Sequence, residues 1–130
     1  MDWNFFGRSF GDLRRKYGLR QKQVAYNGGV SPSYVASLEG GRRPPPGDDG
    51  LQKIIAALGA TEDEKAHLVR ASCLTQIARV IHGHSEMFPA ASAAISLLEI
   101  SPQMSPAEVS AIQSLVEGYR FRTLLPQRKE

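Results

Sequence analysis

Apolar residues recur at every third or fourth position along almost the whole chain, and glycine or proline interrupts this pattern at short intervals. Such spacing puts apolar side chains on one face of a helix, whereas the strict alternation of a half-buried strand is almost absent. Phe6, Phe10 and Leu13 show the pattern near the start of the chain. The sequence therefore predicts an all-α protein.

The interruptions set the expected helix boundaries. Ser31 and Pro32 predict an N-cap and a first helical residue, and Ser105 and Pro106 repeat that signature. Gly28 beside Gly29 predicts a loose turn, and residues 44–50 read as a stiff, non-helical loop. The predicted helices cover about residues 5–17, 20–27, 32–39, 51–58, 62–81, 89–100 and 106 onward.

Residue usage narrows the class of protein. Cys73 is the single cysteine, which excludes a disulfide scaffold, and with His82 and His84 it makes an incomplete metal-ligand set. We expect Cys73 to be a buried apolar residue and both histidines to lie on the surface, with no metal or cofactor. The chain also lacks a Gly-rich phosphate loop, paired carboxylates and a signal-peptide layout. The expectation is a soluble, cytoplasmic protein that is not an enzyme.

Positive charge is concentrated in the first half of the chain. The net charge is only +3, yet residues 7–43 carry eight Lys/Arg against two acids. Residues 61–130 carry seven Lys/Arg against eight acids. A basic half followed by a near-neutral half suggests a polyanion-binding module, although ordinary solvated charges are the alternative.

A short helix, a glycine-containing turn and a second helix that begins with small polar residues form a helix-turn-helix pattern between residues 18 and 44. In that motif the second helix enters the major groove of DNA. The sequence resembles the lambda-repressor-like (Cro/XRE) DNA-binding family over about residues 6–70. The residues that carry the resemblance are Gly18–Ala25, Gly29–Ser31, Val35, Leu38, Glu39, Gly41, Arg42 and Pro44.

The resemblance implies a role for each matching position. Glu39 matches an acid that pairs with an arginine at the position of Arg14, and Val35 and Leu38 match buried positions. Other matching positions imply contacts with base edges or with phosphates of DNA. Nearby basic residues add further candidate phosphate contacts. The candidate DNA-binding residues are Arg15, Arg20, Gln21, Ser31, Pro32, Ser33, Tyr34, Ser37, Arg42 and Arg43.

The expected reading face departs from the family pattern. Arg20 replaces the usual Ser/Thr cap, and the groove-facing positions Pro32, Ser33, Ala36 and Ser37 include no Arg, Gln or Asn for bidentate base contacts. Tyr34 either contacts DNA or packs against the turn. We expect sparse direct readout, with phosphate contacts and DNA shape contributing strongly.

The second half of the chain adds helices that a DNA-binding domain of this kind does not need in order to fold. We expect residues 1–82 to form the DNA-binding domain and residues 83–130 a helical dimerisation region, because unpaired amphipathic helices would leave apolar stripes exposed. The alternative is that these helices complete a monomeric core. The candidate interface residues are Leu97, Leu98, Ile112, Leu115, Val116 and Tyr119.

Two functions fit these features. The first is a transcriptional regulator, most simply a repressor that binds a palindromic operator as a homodimer in a bacterium, phage or plasmid. The second is an antitoxin or interaction module that represses its own operon while its C-terminal half binds a partner protein. For either function we expect double-stranded DNA as a partner, no association with a membrane, and a location at the nucleoid.

Overall fold

The computed structural model describes residues 3–124, and it describes side chains through residue 122. Within that range every regular element is a helix and no strand is present, which confirms the all-α prediction. The helices are α1 (Phe5–Lys16), α2 (Gln21–Gly28), α3 (Pro32–Glu39), α4 (Asp48–Ala56), α5 (Glu62–His82), α6 (Ala91–Ile100), a 3-10 helix (Ser101–Gln103) and α7 (Pro106–Leu124). The chain divides into two compact units, one ending at Ile95 and the other beginning at Ser96.

The core of the first unit is built from the apolar faces of α1 to α5. Helix α1 packs against α5 and α3, and α2 packs against α3 and α4. Each helix contributes the residues that recur at three- to four-residue spacing, so the core follows directly from the sequence pattern. Its fully buried large side chains include Phe6, Phe10, Val24, Val35, Leu38, Ile54, Ile55 and Leu68.

Polar contacts hold helix α1 against helix α5 at both ends of α1. At the start of α1, the buried Thr75 hydroxyl accepts a hydrogen bond from the Phe6 backbone N–H at 2.9 Å. At its end, the Glu64 carboxylate accepts hydrogen bonds from Lys16 Nζ at 2.8 Å and from the Tyr17 hydroxyl. These contacts lower the pKa of Glu64 to about 2, with the Lys16 hydrogen bond as the largest cause. The carboxylate therefore stays ionised across the ordinary pH range.

Two loop expectations were wrong. Helix α4 begins at Asp48, so residues 48–50 belong to a helix and the stiff loop is shorter than expected. Asp48 and Asp49 suit the first turn because carboxylates interact favourably with the positive end of the helix dipole. Gly28 does not loosen the turn: it is the last residue of α2, and a Cβ there would lie 3.2 Å from Ile54 Cδ1. Its small size serves the close packing of α2 on α4.

The expectation for Cys73 was also wrong, because the Cys73 side chain is exposed. The apolar spacing of α5 predicts that Leu68, Val69, Cys73, Ile77 and Ile81 lie along one side; Leu68 is buried and Val69 packs against the core, but Cys73 and Ile77 are exposed. The side that faces the core carries Leu68 and four small residues, Ala71, Ser72, Thr75 and Ala78. These small residues allow α1 to approach closely.

The second unit has no buried residue among its described side chains. Within it, Leu97 and Ile112 are half-buried, while Leu98, Val116, Leu115 and Tyr119 are exposed, the last two by 65% and 60%. Most of the expected stripe on α7 falls on one side of that helix, although the exposed Phe121 lies on the other side. No helix in the described part of the chain is long and apolar enough to cross a membrane.

Candidate nucleic-acid interface

The turn between α2 and α3 has the geometry that a helix-turn-helix motif requires. Gly29 follows α2 as its C-cap and lies in the left-handed region at φ +70°, a conformation that glycine adopts without a steric penalty. The Val30 N–H then donates to the Ala25 carbonyl at 2.9 Å. The next residue, Ser31, caps α3, because its hydroxyl accepts a hydrogen bond from the Tyr34 N–H at 3.1 Å.

Helix α3 has a buried side and a solvent-facing N-terminal end. Val35 and Leu38 are buried in the core, as the resemblance implies, whereas Ser31, Pro32 and Ser33 are exposed. Ala36 and Ser37 are half-buried. The first turn of α3 therefore presents small side chains and little bulk to a partner.

Two positions were considered for Tyr34, packed against the turn or exposed to DNA, and the structure has features of both. Its side chain is half-buried and packs against the core, and the Arg43 guanidinium carbon lies 5.9 Å from the centroid of its ring. An arginine at this distance attracts the electron-rich face of the ring. Tyr34 thus connects the start of α3 to the basic segment that follows the helix.

Arg14 and Glu39 form the expected pair, and its geometry shows a structural role. Arg14 Nε lies 2.9 Å from Glu39 Oε2, and Arg14 Nη2 lies 2.9 Å from Oε1, so the contact is bidentate. The two side chains are only 13% and 9% exposed. Gln21 Nε2 also donates to Glu39 Oε2 at 3.3 Å, which links the start of α2 to the end of α3.

Asn4 is a positioning residue that the sequence reasoning missed. Its Oδ1 caps α1 by accepting from the Gly7 N–H at 3.1 Å, while its Nδ2 donates to the Glu39 carbonyl at 2.8 Å. One side chain thereby ties the start of α1 to the end of α3. The first function is readable from an asparagine just before a helix, but the second depends on the tertiary fold.

Basic side chains border this surface. Arg20, Lys22, Arg42 and Arg43 are exposed, and Glu39, which is engaged as described, is the one acid within α2 and α3. Arg15 is exposed too, but its Nη2 lies 2.9 Å from Asp12 Oδ1. The Arg42 and Arg43 N–H groups both donate to the Ser37 carbonyl, so the backbone of this segment is tied to the end of α3.

Cys73, His82 and His84 form an incomplete metal-ligand set in the sequence, and no metal site is expected from them. No group of three or more His, Cys, Asp or Glu side chains in this range comes close enough to hold a metal ion. His82 and His84 are exposed near the end of α5, and Cys73 lies more than two turns earlier on the same helix.

The comparisons with known proteins agree with this geometry. Residues 6–68 match the family model of a helix-turn-helix domain. The chain is 41% identical over 58 residues to y4dJ of Sinorhizobium fredii, described as an uncharacterized HTH-type transcriptional regulator, over 45% of this chain and 74% of that protein. No solved structure matches.

This fold and these matches define a helix-turn-helix DNA-binding protein. The chain belongs to the lambda-repressor-like (XRE) family of transcriptional regulators. The matched region lies within the first unit, so the roles of α6 and α7 rest on their own residues.

Proposed function

We propose that this protein is a repressor that binds a palindromic operator as a homodimer in the cytoplasm, associated with the nucleoid. One observation carries the DNA-binding half of the proposal. The exposed start of α3 lies in a surface bordered by arginines, and the one acid of the motif is engaged with Arg14 and Gln21. The positive charge of such a surface attracts the DNA phosphates, and its small side chains allow close approach to the base edges.

The proposed contacts fall into two groups, those with base edges and those with backbone phosphates. Pro32 and Ser33 are suited to base edges in the major groove, with Tyr34 and the half-buried Ser37 beside them, whereas Ser31 is placed to meet a phosphate. The candidate phosphate contacts are Arg15, Arg20, Gln21, Arg42 and Arg43. A serine hydroxyl donates or accepts and therefore discriminates weakly between bases. Sequence preference then depends largely on the shape and deformability of the operator.

Exposed apolar surface in the second unit supports the homodimer. The candidate interface residues are Leu97, Leu98, Ile112, Leu115, Val116 and Tyr119. Together with Ile100 and Val109 they expose roughly 500 Å² of apolar surface, about what one partner supplies to an interface of standard size. A twofold dimer would also present two recognition helices about 34–36 Å apart, one turn of DNA.

DNA selection tests the first half of the proposal. Random duplexes bound by the protein should yield an enriched palindrome, and footprinting should show two protected half-sites one helical turn apart. Changing single base pairs should weaken binding by less than about 2 kcal/mol at most positions, the lower range of a bidentate contact. Enrichment of no sequence would refute the proposal. Sharp losses at many positions would refute the shape-based part alone.

Light scattering at micromolar concentration tests the second half, with twice the 14.2 kDa mass of the chain as the expected result. Leu115→Glu should reduce the mass to that of a monomer, because it puts a charge in the stripe. Ser114→Glu puts the same charge on the other side of α7 and should leave the dimer intact. A monomeric wild type would refute the homodimer and favour the alternative in which these helices complete a monomeric core. A second chain co-purified stoichiometrically from the native host would favour the antitoxin-like function instead.

A further inference from the structure

Arg79 lies on α5, outside the region that matches the helix-turn-helix family, yet it reaches the segment that follows the recognition helix. Its Nη1 donates to the Gly41 carbonyl at 3.3 Å, 38 residues away in the sequence. Gly41 directly precedes Arg42 and Arg43, the candidate phosphate contacts. The hydrogen bond therefore places a third arginine beside the basic segment.

The space next to this contact is open. A cleft of about 410 Å³ is lined by residues that include Trp3, Gly40, Gly41, Arg79 and His82, and among the residues that the structure describes none that lines it is acidic. Among the ion pairs between residues that the structure describes, none includes Arg42, Arg43 or Arg79. Within residues 3–124, therefore, no carboxylate neutralises the charges of Arg42, Arg43 and Arg79.

Like charges held near one another repel, so such an arrangement is favourable when an anion lies between or beside them. Arg79 uses one N–H on the Gly41 carbonyl, and a guanidinium has five N–H donors. The remaining donors suit the oxygens of a phosphate, which arginine binds in a bidentate manner.

We propose that Arg79 contacts a DNA phosphate, so that the backbone-binding surface extends from the recognition helix to the end of α5. This inference rests on the proposed DNA-binding function and adds a residue that neither the motif nor the family match includes. A simpler role for Arg79 is to hold the Gly41 segment and interact with the negative end of the α5 dipole. The two roles differ in how DNA affinity depends on salt.

Each phosphate that a protein neutralises contributes about 0.9 to the slope of log affinity against log salt concentration. Arg79→Gln should therefore make that slope shallower by about 0.9. On the duplex that the wild type selects from a random pool, its binding should be about eightfold weaker at 0.1 M salt and nearly unchanged at 1 M. Arg79→Lys keeps the charge and should keep most of the slope.

Arg70→Gln is the matched control. Arg70 is exposed on the same helix, nine residues earlier and on the opposite side, so its loss removes an equal charge away from the cleft. Its salt slope should equal that of the wild type. Thermal unfolding of each variant, followed by circular dichroism, shows whether the fold is retained.

The outcomes separate the inference from the function on which it rests. If the wild type binds but Arg79→Gln has an unchanged slope, or if Arg79→Lys loses as much slope as Arg79→Gln, the phosphate contact is wrong. An equal change in slope for Arg70→Gln also refutes it, since the effect would then reflect net charge. If the wild type selects no DNA, the proposed function itself fails.

Discussion

The Arg14–Glu39 pair offers the most direct test of how the motif is held in place. Glu39→Ala would leave the Arg14 side chain, which is 13% exposed, without the carboxylate that accepts three of its hydrogen bonds. Removing one partner of a buried ion pair typically costs 3–5 kcal/mol, and this pair retains some solvent contact. We therefore expect a loss of about 3 kcal/mol in the free energy of unfolding. Alanine is the stronger helix former, so helix propensity would not cause the loss.

A double-mutant cycle isolates the interaction. Arg14→Met removes the charge and keeps much of the stem, and the double variant should be less destabilised than the sum of the single variants by about 2 kcal/mol. The exposed pair Lys65–Glu62, whose nitrogen and oxygen lie 3.2 Å apart, is the reference and should give a coupling below about 1 kcal/mol.

Urea unfolding followed by circular dichroism measures these energies. Protein concentration must be the same in every experiment, because dimerisation would add a concentration-dependent contribution to stability. A loss below about 1 kcal/mol for Glu39→Ala, or a coupling no larger than that of the exposed pair, would refute the structural role assigned to Arg14 and Glu39.

Three further predictions test other parts of the structure. The lowered pKa of Glu64 adds stability above pH 4.5 that is lost as the pH falls towards 2, so Glu64→Gln should unfold with a weaker pH dependence in that window; an unchanged dependence would contradict the contact. Gly7→Ala should destabilise the protein by about 1–3 kcal/mol in urea unfolding, because its Cβ would overlap the Leu38 carbonyl oxygen, whereas Gly118→Ala meets no neighbour within 4 Å and should not destabilise it. Cys73 should react with a thiol reagent in the native protein almost as fast as in urea, and strong protection would show that it is buried after all.

The candidate site was predictable where its chemistry is local. The Ser31 cap, the Pro32 start of α3 and the Gly29 turn each follow from one or two residues, and the structure has all three. Arg14 and Glu39 lie 25 residues apart, so their pairing came from the family resemblance and not from spacing. Asn4 and Arg79 escaped prediction because their partners are carbonyl oxygens, which carry no signal in the sequence.

The sequence by itself determined the helical class, most helix boundaries and the helix-turn-helix motif, because apolar spacing, capping residues and glycines act over only a few residues. The tertiary structure decided which side of α5 faces the core. There Cys73 and Ile77 lie outside, and the smaller Ala71, Thr75 and Ala78 lie inside. Hydrophobic pattern alone favours the opposite orientation. Close packing against α1, with the Thr75 hydroxyl bonded to the Phe6 N–H, requires small residues on the inner side.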